Sequence, residues 1–408
     1  MTPCTGAPGA LRLGIDGSCL ERPGTGIHRY TADLCRALDK VLPACEFFVY
    51  SRQPATMPVQ SSRWINRCDP RFTRRLPRVL WVLYRCGRLA KADKLDAFWA
   101  PMYWLPHLQR GTLAVTTIHD LSYLVSPSTV PVRDRISFRA FLRSSVTRAN
   151  LVAVVSTGTQ DRVIAAFGPR ATVKVPPAVG PQFTRRRAGA IEECRARWRL
   201  PEEYLLTVGA RVPRKNLSCL VEAFLRLKED QHLPKGAALV MAGPSGIPDK
   251  ALLRFMESHP NNAIRLVDSP ADDELACLYS GARMYVCAST YEGFCIPISE
   301  ATACGCPVVA TDSAETREAG GTGAIYAPAT VSGLYSGIRQ ALRKPQESRP
   351  TGLPTWAESA RNLAQAILGR LARRGDAANE RACSAPGTSR TRTSVQSSEA
   401  TSTCPARP

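Results

Sequence analysis

Short apolar runs alternate with amphipathic stretches over most of the chain. Leu113–Ile118 and Tyr204–Gly209 have the length and the aliphatic content of buried strands. Ile27–Leu38 carries apolar residues at every third or fourth position, which is typical of a helix with one buried face. Strands that alternate with helices in this way predict an α/β fold built on parallel sheets.

The alternation is interrupted once and then restarts, which predicts two domains. Pro176-Pro177 and Gly180-Pro181 break the pattern, and a charged stretch at Arg185–Arg187 follows them. We therefore expect one α/β domain at residues 11–183 and a second at residues 184–355. A cleft between two such domains is the expected binding site.

The end of the chain has a different composition. Trp356 to Leu371 is amphipathic, so a last helix is expected at residues 356–372. Residues 373–408 are basic, rich in Ser and Thr, and almost free of large apolar side chains. Such a composition predicts a disordered tail.

The net charge of +20 is concentrated in part in the segment Arg63–Lys94. Eight arginines and two lysines stand there against Asp69 and Asp93, and Trp81 and Tyr84 lie among them. The pattern suits an anionic membrane surface, and it equally suits a solvated helix whose apolar face joins the core. No recognised nucleic-acid module accompanies the charge, so no specific nucleic-acid partner is expected.

Cysteine usage and hydropathy indicate the compartment. The fifteen cysteines are scattered, and no Cys-x-x-Cys pair occurs. We expect reduced thiols that behave as small apolar side chains in a cytoplasmic protein. The chain has neither a run of eighteen apolar residues nor a signal-like start, so no transmembrane span is expected.

The stretch Tyr291–Glu300 is the strongest candidate for chemistry. Glu292 and Glu300 flank a glycine-containing turn, with a buried strand predicted before it and a helix predicted at Ile298–Cys304. Pro297 suits the first position of that helix. A helix N-terminus attracts anions, and carboxylates accept hydrogen bonds from sugar hydroxyls. The stretch therefore predicts a ligand that is part phosphate and part polyol.

Three further loops follow predicted strands. Gly24-Thr25-Gly26 precedes a helix in a phosphate-binding layout, although a tight turn without a ligand explains two glycines equally well. His119-Asp120 stands at the end of a strand, where open α/β sheets place ligands. The basic loop with Arg211, Arg214 and Lys215 precedes a helix that Asn216 is expected to cap.

Four blocks, in order along residues 11–371, resemble the retaining glycosyltransferases of family 4, which have the GT-B fold of two Rossmann-like domains. The blocks are Gly14-Ile15-Asp16 with Gly24-Thr25-Gly26-Ile27-x-Arg29-Tyr30, Thr117-Ile118-His119-Asp120, Pro213-Arg214-Lys215-Asn216-Leu217, and Tyr291 through Val309 with its Glu-x7-Glu signature. The first and third blocks look like those of bacterial surface-polysaccharide mannosyltransferases. The resemblance also implies that the helix at 356–372 returns to the N-terminal domain.

The resemblance implies a role for each candidate. His119 and Glu292 would be catalytic residues at the transferred hexose, and Glu300 would bind the ribose. The donor diphosphate would contact Arg211, Arg214, Lys215, Gly293, Phe294, Cys295 and Ile296. Gly24, Thr25 and Gly26 would form an acceptor or phosphate loop.

The expected reaction moves a hexose, with mannose from GDP-mannose favoured, to a glycan or lipid-linked acceptor in polysaccharide or glycolipid biosynthesis. No Asp-x-Asp pair exists in the sequence. We therefore expect no metal and no cofactor beyond the donor, because the basic loop can supply the positive charge. The protein is expected in the cytoplasm, peripheral on the cytoplasmic face of the inner membrane.

Two departures from the family pattern bear on donor preference. Pro176-Pro177-Ala178-Val179-Gly180 replaces the usual Pro-Asn-Gly-Val-Asp, and Cys295 stands where the signature loop usually has its third glycine. Two alternatives come from other classes. A sugar-nucleotide epimerase of the same fold would turn over without an acceptor, and a non-catalytic, membrane-associated sugar-nucleotide-binding protein would bind the donor without turnover.

Overall fold

Two parallel sheets dominate the computed structural model, which describes residues 10–21, 25–70, 77–127, 130, 132–246, 252, 254, 263–343 and 352–383. The first sheet has the order β3-β2-β1-β4-β5-β6-β7, and the second has the order β10-β9-β8-β11-β12-β13. The first contains β1 (Arg12–Asp16), β2 (Glu46–Ser51), β3 (Trp64–Cys68), β4 (Ala97–Ala100), β5 (Leu113–Ile118), β6 (Leu151–Val154) and β7 (Thr172–Lys174). The second contains β8 (Tyr204–Val208), β9 (Ala238–Ala242), β10 (Ile264–Val267), β11 (Met284–Cys287), β12 (Val308–Thr311) and β13 (Ile325–Ala327).

Helices cover the sheets and connect their strands. Those of the first half are α1 (Gly26–Val41), α2 (Arg78–Leu80), α3 (Gly87–Ala92), α4 (Ser122–Val125), α5 (Val132–Ser137), α6 (Arg143–Arg148) and α7 (Thr157–Phe167). Those of the second half are α8 (Ala188–Trp198), α9 (Leu217–Glu229), α10 (Asp272–Gly281), α11 (Ile296–Ala303), α12 (Ala314–Gly320), α13 (Val331–Arg343) and α14 (Trp356–Cys383). Wider π-helical turns join α2 to α3 and α5 to α6.

Helices connect successive strands, so the strands run parallel and helices cover the faces of each sheet. Every residue of β5 and of β9 is buried, which explains why both are continuous apolar runs without alternation. All strand pairs within the described residues are parallel, with β1 beside β2 and β4, and β8 beside β9 and β11. The prediction of two parallel-sheet domains is confirmed.

Strand direction places the carboxyl ends of both sheets at one cleft. The loops after β1 and β5 of the first sheet line it, and the loops after β8, β9 and β11 of the second sheet lie opposite. In each sheet the strand order reverses at the first strand of the domain, and this is where open α/β sheets bind ligands.

The last helix packs on the first domain. Ala360, Leu363 and Ile367 of α14 are fully buried, and the helix lies along α1. Its Ser359 Oγ donates to the carbonyl of Pro176 at 2.6 Å. The helix extends to Cys383, beyond the predicted end at 372, because residues 372–383 consist mainly of good helix formers. Residues 384–408 of the predicted tail lie outside the described residues.

The basic segment Arg63–Lys94 contains a strand that the sequence analysis missed. The strand is β3, the edge strand of the first sheet, and it lies within this basic segment. Arg67 pairs with Asp93 at 2.7 Å and Arg85 with Asp69 at 2.6 Å, while Trp81 is fully buried. Residues 71–76 lie outside the described part. Among the described residues of the segment, these ion pairs use part of the charge to stabilise the first domain.

No helix among the described residues is long and apolar enough to cross a membrane.

The signature loop ends in a left-handed residue. Cys295 has φ +72° and ψ +65° immediately before α11, which begins at Ile296, so Pro297 is its second residue and not the predicted first. A side chain with Cβ at such a φ costs roughly 1–2 kcal/mol. This backbone conformation explains why glycine is usual at the position.

We predict that Cys295→Gly unfolds with a free energy about 1 kcal/mol higher than Cys295→Ala, because alanine keeps the strained φ and glycine does not. Urea denaturation followed by circular dichroism measures the difference. Cys304, also buried but at φ −79°, is the matched control, and there alanine should be the more stable replacement. The same order of stability at both positions would contradict the assignment of strain to Cys295.

Candidate active site

The cleft between the domains holds a cavity of about 870 Å³. The structure brings most of the predicted site residues to its wall. These are Thr25, Gly26, His119, Arg214, Lys215, Glu292, Gly293, Phe294, Cys295, Ile296 and Glu300. Both domains therefore contribute to one site, as a ligand that bridges them requires.

A buried carboxylate joins the two basic residues of the loop after β8. Glu292 Oε1 lies 2.7 Å from Lys215 Nζ, and Glu292 Oε2 lies 3.1 Å from an Arg214 guanidinium nitrogen. Burial alone would raise the pKa of Glu292, but the two cations outweigh it and hold the pKa at about 2. Glu292 is therefore ionised at neutral pH and orients both bases toward the cavity.

The backbone of the basic loop explains its reach into the cleft. Residues Pro213–Lys215 form one short helical turn, and Asn216 follows with φ +54° before α9 begins. The prediction that Asn216 caps this helix is wrong for its side chain. Since its left-handed backbone turns the side chain away, its Nδ2 donates to the carbonyl of Ala329 at 3.2 Å.

Glu300 lies on the buried side of α11 and contacts the opposite domain. Its Oε1 is 3.2 Å from a guanidinium nitrogen of Arg29, which also bonds Asp272 at 3.0 Å. Its Oε2 accepts a hydrogen bond from Tyr279 at 3.1 Å. Burial raises the pKa of Glu300 to about 7, and Arg29 only partly offsets that effect. This carboxylate therefore titrates near neutral pH.

His119 stands at the end of β5 with its orientation fixed. Nε2 of the imidazole is 2.7 Å from the carbonyl of Pro101, and the ring meets Tyr30 edge to face at 4.8 Å. Burial lowers the pKa of His119. The ring is therefore neutral at pH 7, and the bond to Pro101 requires the proton on Nε2.

The signature loop docks on the first domain through its backbone. The carbonyl of Gly293 accepts bonds from Ser156 Oγ at 2.6 Å and Thr159 Oγ1 at 3.1 Å. A Cβ on Gly293 would lie 1.9 Å from the carbonyl oxygen of His119, so only glycine fits this contact. Tyr291 adds a bond, because its hydroxyl accepts from the backbone N–H of Leu121 at 2.7 Å.

Two predicted residues stand apart from the others. The guanidinium of Arg211 is turned aside to the carbonyl of Gly243, the hydroxyl of Ser245 and the carboxylate of Asp268, at 2.6 to 2.8 Å. It is not part of the cavity wall that contains Arg214 and Lys215. Gly24 lies outside the described residues.

Sequence reasoning assigned no role to Arg29, Asp272 or Tyr279. All three surround Glu300, and they come from α1 and α10 of different domains. For Arg29 a signal was present, because the residue lies one turn into the helix that opens beside the Gly24–Gly26 loop. For Asp272 and Tyr279 the sequence carries no such signal.

Among the described residues, one group could hold a metal ion. A ligand atom from each of Cys287, Glu292 and Cys295 lies within 4.8 Å of the other two, and all three residues are buried. The two sulfurs are 3.5 Å apart.

Comparisons with known proteins agree with this geometry. The family model described as Glycosyltransferase Family 4 matches residues 24–182, and the model described as Glycosyl transferases group 1 matches residues 191–352. Among solved structures, sucrose-phosphate synthase from Thermosynechococcus elongatus has a TM-score of 0.62 at 19% identity, covering 92% of this chain and 100% of that one. This similarity confirms the predicted fold.

Two curated relatives extend over much of the chain. The O-antigen chain mannosyltransferase B of Escherichia coli is 29% identical over 372 residues, which are 85% of this chain and 93% of the relative. The GDP-mannose-dependent alpha-(1-6)-phosphatidylinositol monomannoside mannosyltransferase of Mycobacterium tuberculosis is 30% identical over 281 residues, 63% of this chain and 69% of the relative. With a family model matching each domain, these relatives establish that the chain is a glycosyltransferase of family 4 with the GT-B fold.

Proposed function

We propose that the protein transfers mannose from GDP-mannose, with retention of configuration, to a glycan or lipid-linked acceptor of a surface polysaccharide or glycolipid. The observation that carries this proposal is the buried Glu292 between Lys215 and Arg214, opposite His119 in the cleft. The names of the relatives support mannose, since one is an O-antigen mannosyltransferase and another is GDP-mannose-dependent.

The donor diphosphate is assigned to the cationic wall of the cleft. Arg214 and Lys215 can each form a charge-assisted bond to a phosphate oxygen, and the N-terminus of α11 adds backbone N–H groups. These groups stabilise the negative charge that develops as the glycosidic bond to the diphosphate breaks. Because they are in place before the reaction, they favour a dissociative transition state with an oxocarbenium-like sugar.

The remaining polar side chains are assigned to the two sugars. Glu292 faces the transferred hexose, and Glu300 accepts hydrogen bonds from the ribose hydroxyls. In the free protein the guanidinium of Arg29 occupies part of the space assigned to the ribose. His119, neutral and fixed by Pro101, lies toward the anomeric carbon. We propose that no metal and no other cofactor is required, because Arg214 and Lys215 supply the charge that a metal would provide.

The acceptor is assigned to the side of the cleft that the first domain forms. Directly after His119 and Asp120 the chain continues into α4 and α5, which expose Leu124, Val132 and Ile136 at 51%, 67% and 64%. Arg135, Arg139 and Arg143 are exposed beside them. Apolar side chains among arginines suit a lipid-linked acceptor in an anionic membrane surface.

The segment Arg63–Lys94 is assigned a secondary contact with the same membrane surface. Its exposed side chains include Tyr84, Arg88 and Lys91, which lie on one side of the helix that ends with α3. A protein held in this way works at the cytoplasmic face of the inner membrane.

The decisive experiment offers the purified protein a panel of labelled nucleotide sugars, with and without lipid-linked acceptors. We expect GDP release from GDP-mannose that depends on acceptor, with a product of retained configuration. Lys215→Ala should lower kcat by about 10²- to 10³-fold, because one preorganised cation at the developing diphosphate is lost. Lys235→Ala, on an exposed loop of the same domain, is the control and should not change kcat.

Glu292→Ala should lower kcat at least as much as Lys215→Ala, since it removes the carboxylate that orients both bases. Turnover without acceptor would favour an epimerase, and donor binding without turnover would favour a binding protein. If Glu292→Ala and Lys215→Ala both transfer mannose at the rate of the unmodified protein, the site assignment is wrong.

The titration of Glu300 predicts an acidic limb in the pH profile. Its raised pKa means that the carboxylate gains a proton as the pH falls through about 7, and a neutral carboxyl binds ribose hydroxyls more weakly. We expect kcat/KM for the donor to fall below pH 7, by at most about tenfold per pH unit, until it levels off at the value for the neutral carboxyl. Glu300→Gln should have a lower plateau without this limb. Burial lowers the pKa of His119, so protonation of His119 would act only at lower pH. A limb that persists near pH 7 in Glu300→Gln would refute the assignment.

Membrane contact is tested by co-sedimentation with anionic phospholipid vesicles. Val132→Ser together with Ile136→Ser should weaken binding by about tenfold, as expected for the loss of two inserted aliphatic side chains. Leu266→Ser is the matched control, because Leu266 is 42% exposed on β10 of the other domain. Equal binding by the double variant and the control would exclude this surface.

A further inference from the structure

Two buried thiols meet beneath the donor side of the cleft. Cys287 ends β11, Cys295 precedes α11, and the loop between them returns the chain so that their sulfurs lie 3.5 Å apart. The carboxylate of Glu292, from the same loop, completes a group whose ligand atoms all lie within 4.8 Å of one another. Nothing in the proposed transfer reaction uses either thiol.

We infer that Cys287, Cys295 and Glu292 form a binding site for a thiophilic divalent cation of the Zn²⁺ class, and that its occupation opposes donor binding. The proposed reaction does not need this cation. The site instead gives the protein a means of inhibition by a soft metal.

The ligand set and its spacing suit zinc. Two thiolates and a carboxylate are common zinc ligands, and tetrahedral coordination at Zn–S distances of about 2.3 Å separates two sulfurs by about 3.8 Å. The observed separation of 3.5 Å is close to that value. Mg²⁺ is a poor candidate, because it prefers oxygen ligands and the group offers only one carboxylate.

The backbone holds Cys295 in place for this role. Its left-handed φ directs the Cβ from the start of α11 back toward the end of β11, where Cys287 lies. A glycine would relieve the strain and would remove the second sulfur. The departure from the usual glycine therefore creates the cluster.

Charge balance allows the cation despite two neighbouring bases. Before binding, Glu292 stands against Lys215 and Arg214. Two thiolates balance the charge of one divalent ion, and any thiol proton still present is released to solvent on binding. Cys295 and Glu292 line the open cavity, which gives the ion an entry path and leaves a position for water.

Opposition to the donor follows from the shared carboxylate, and this part of the inference rests on the proposed function. A cation on Glu292 competes for the carboxylate that Lys215 and Arg214 contact and to which the hexose is assigned. It also joins the two sides of the loop over which the diphosphate would lie.

The test uses Co²⁺ as a spectroscopic probe for zinc, added to the full-length protein in the presence of a phosphine reductant so that no disulfide forms. We expect one Co²⁺ per chain, a thiolate-to-cobalt absorption band, and displacement by Zn²⁺ but not by Mg²⁺. Cys287→Ser and Cys295→Gly should each weaken binding by at least about tenfold and reduce the band. Cys306→Ser removes a buried thiol outside the group and should leave both unchanged.

Circular dichroism of each variant checks the fold, and Cys295→Gly keeps the test valid if Cys287→Ser does not fold, because the backbone at residue 295 favours glycine. No thiolate band in the unmodified protein, or an equal band in Cys295→Gly, would overturn the site. The link to the donor is tested by adding GDP-mannose, which should weaken Co²⁺ binding. If Co²⁺ binds the thiolates with the same affinity with and without GDP-mannose, the link to the donor is rejected. Failure of the transfer assay alone would leave the cation site intact.

Discussion

The site depends on one buried carboxylate that stays charged. Glu292 remains ionised in the interior only because Lys215 and Arg214 bond both of its oxygens. Breaking such a group by removing one partner is costly, because it leaves uncompensated charge in a poorly solvated place. The loops after β8 and β11 are tied together by the same contact, and Thr290 N–H donates to the carbonyl of Arg214 at 2.9 Å. The two loops are therefore joined by both backbone and side-chain contacts.

The second constraint is that the signature loop belongs to both domains. Its backbone accepts hydrogen bonds from the first domain at Gly293, while Glu300 meets Arg29 across the cleft. Neither domain forms the pocket alone. The hydrogen bonds at Gly293 and the ion pair at Glu300 are polar contacts that a ligand with matching groups can replace.

Elements that depend only on neighbouring residues, such as buried strands, could be predicted from the sequence. Leu113–Ile118 was predicted to the residue and Tyr204–Gly209 to within one residue, because a short apolar run between loops is most often a buried strand. Glu292 and Lys215 were identifiable from their places between a strand and a helix. β3 was missed because its five residues, Trp64–Cys68, show no clear apolar alternation and lie in a basic segment, and only its pairing with β2 makes it a strand.

Contacts between residues far apart in the sequence could not be predicted, because they depend on tertiary packing and on side-chain direction. Arg211 and Arg214 share one loop and one chemistry, yet Asp268 draws the first aside while Glu292 holds the second in the cleft. The meeting of Arg29 with Glu300 is set by domain packing, and that of Cys295 with Cys287 by one left-handed residue. Spacing along the chain does not encode side-chain direction of this kind.

The return of α14 to the first domain has a mechanical consequence. The chain leaves the first domain after β7 and comes back to it before α14, and the two crossings meet where Ser359 bonds the carbonyl of Pro176. Tyr30 ties α1 to the first crossing through the carbonyl of Val175 at 3.0 Å. The two covalent connections therefore constrain the relative position of the domains most strongly near Pro176, whereas the ion pair of Arg29 with Glu300 joins them elsewhere without a covalent link.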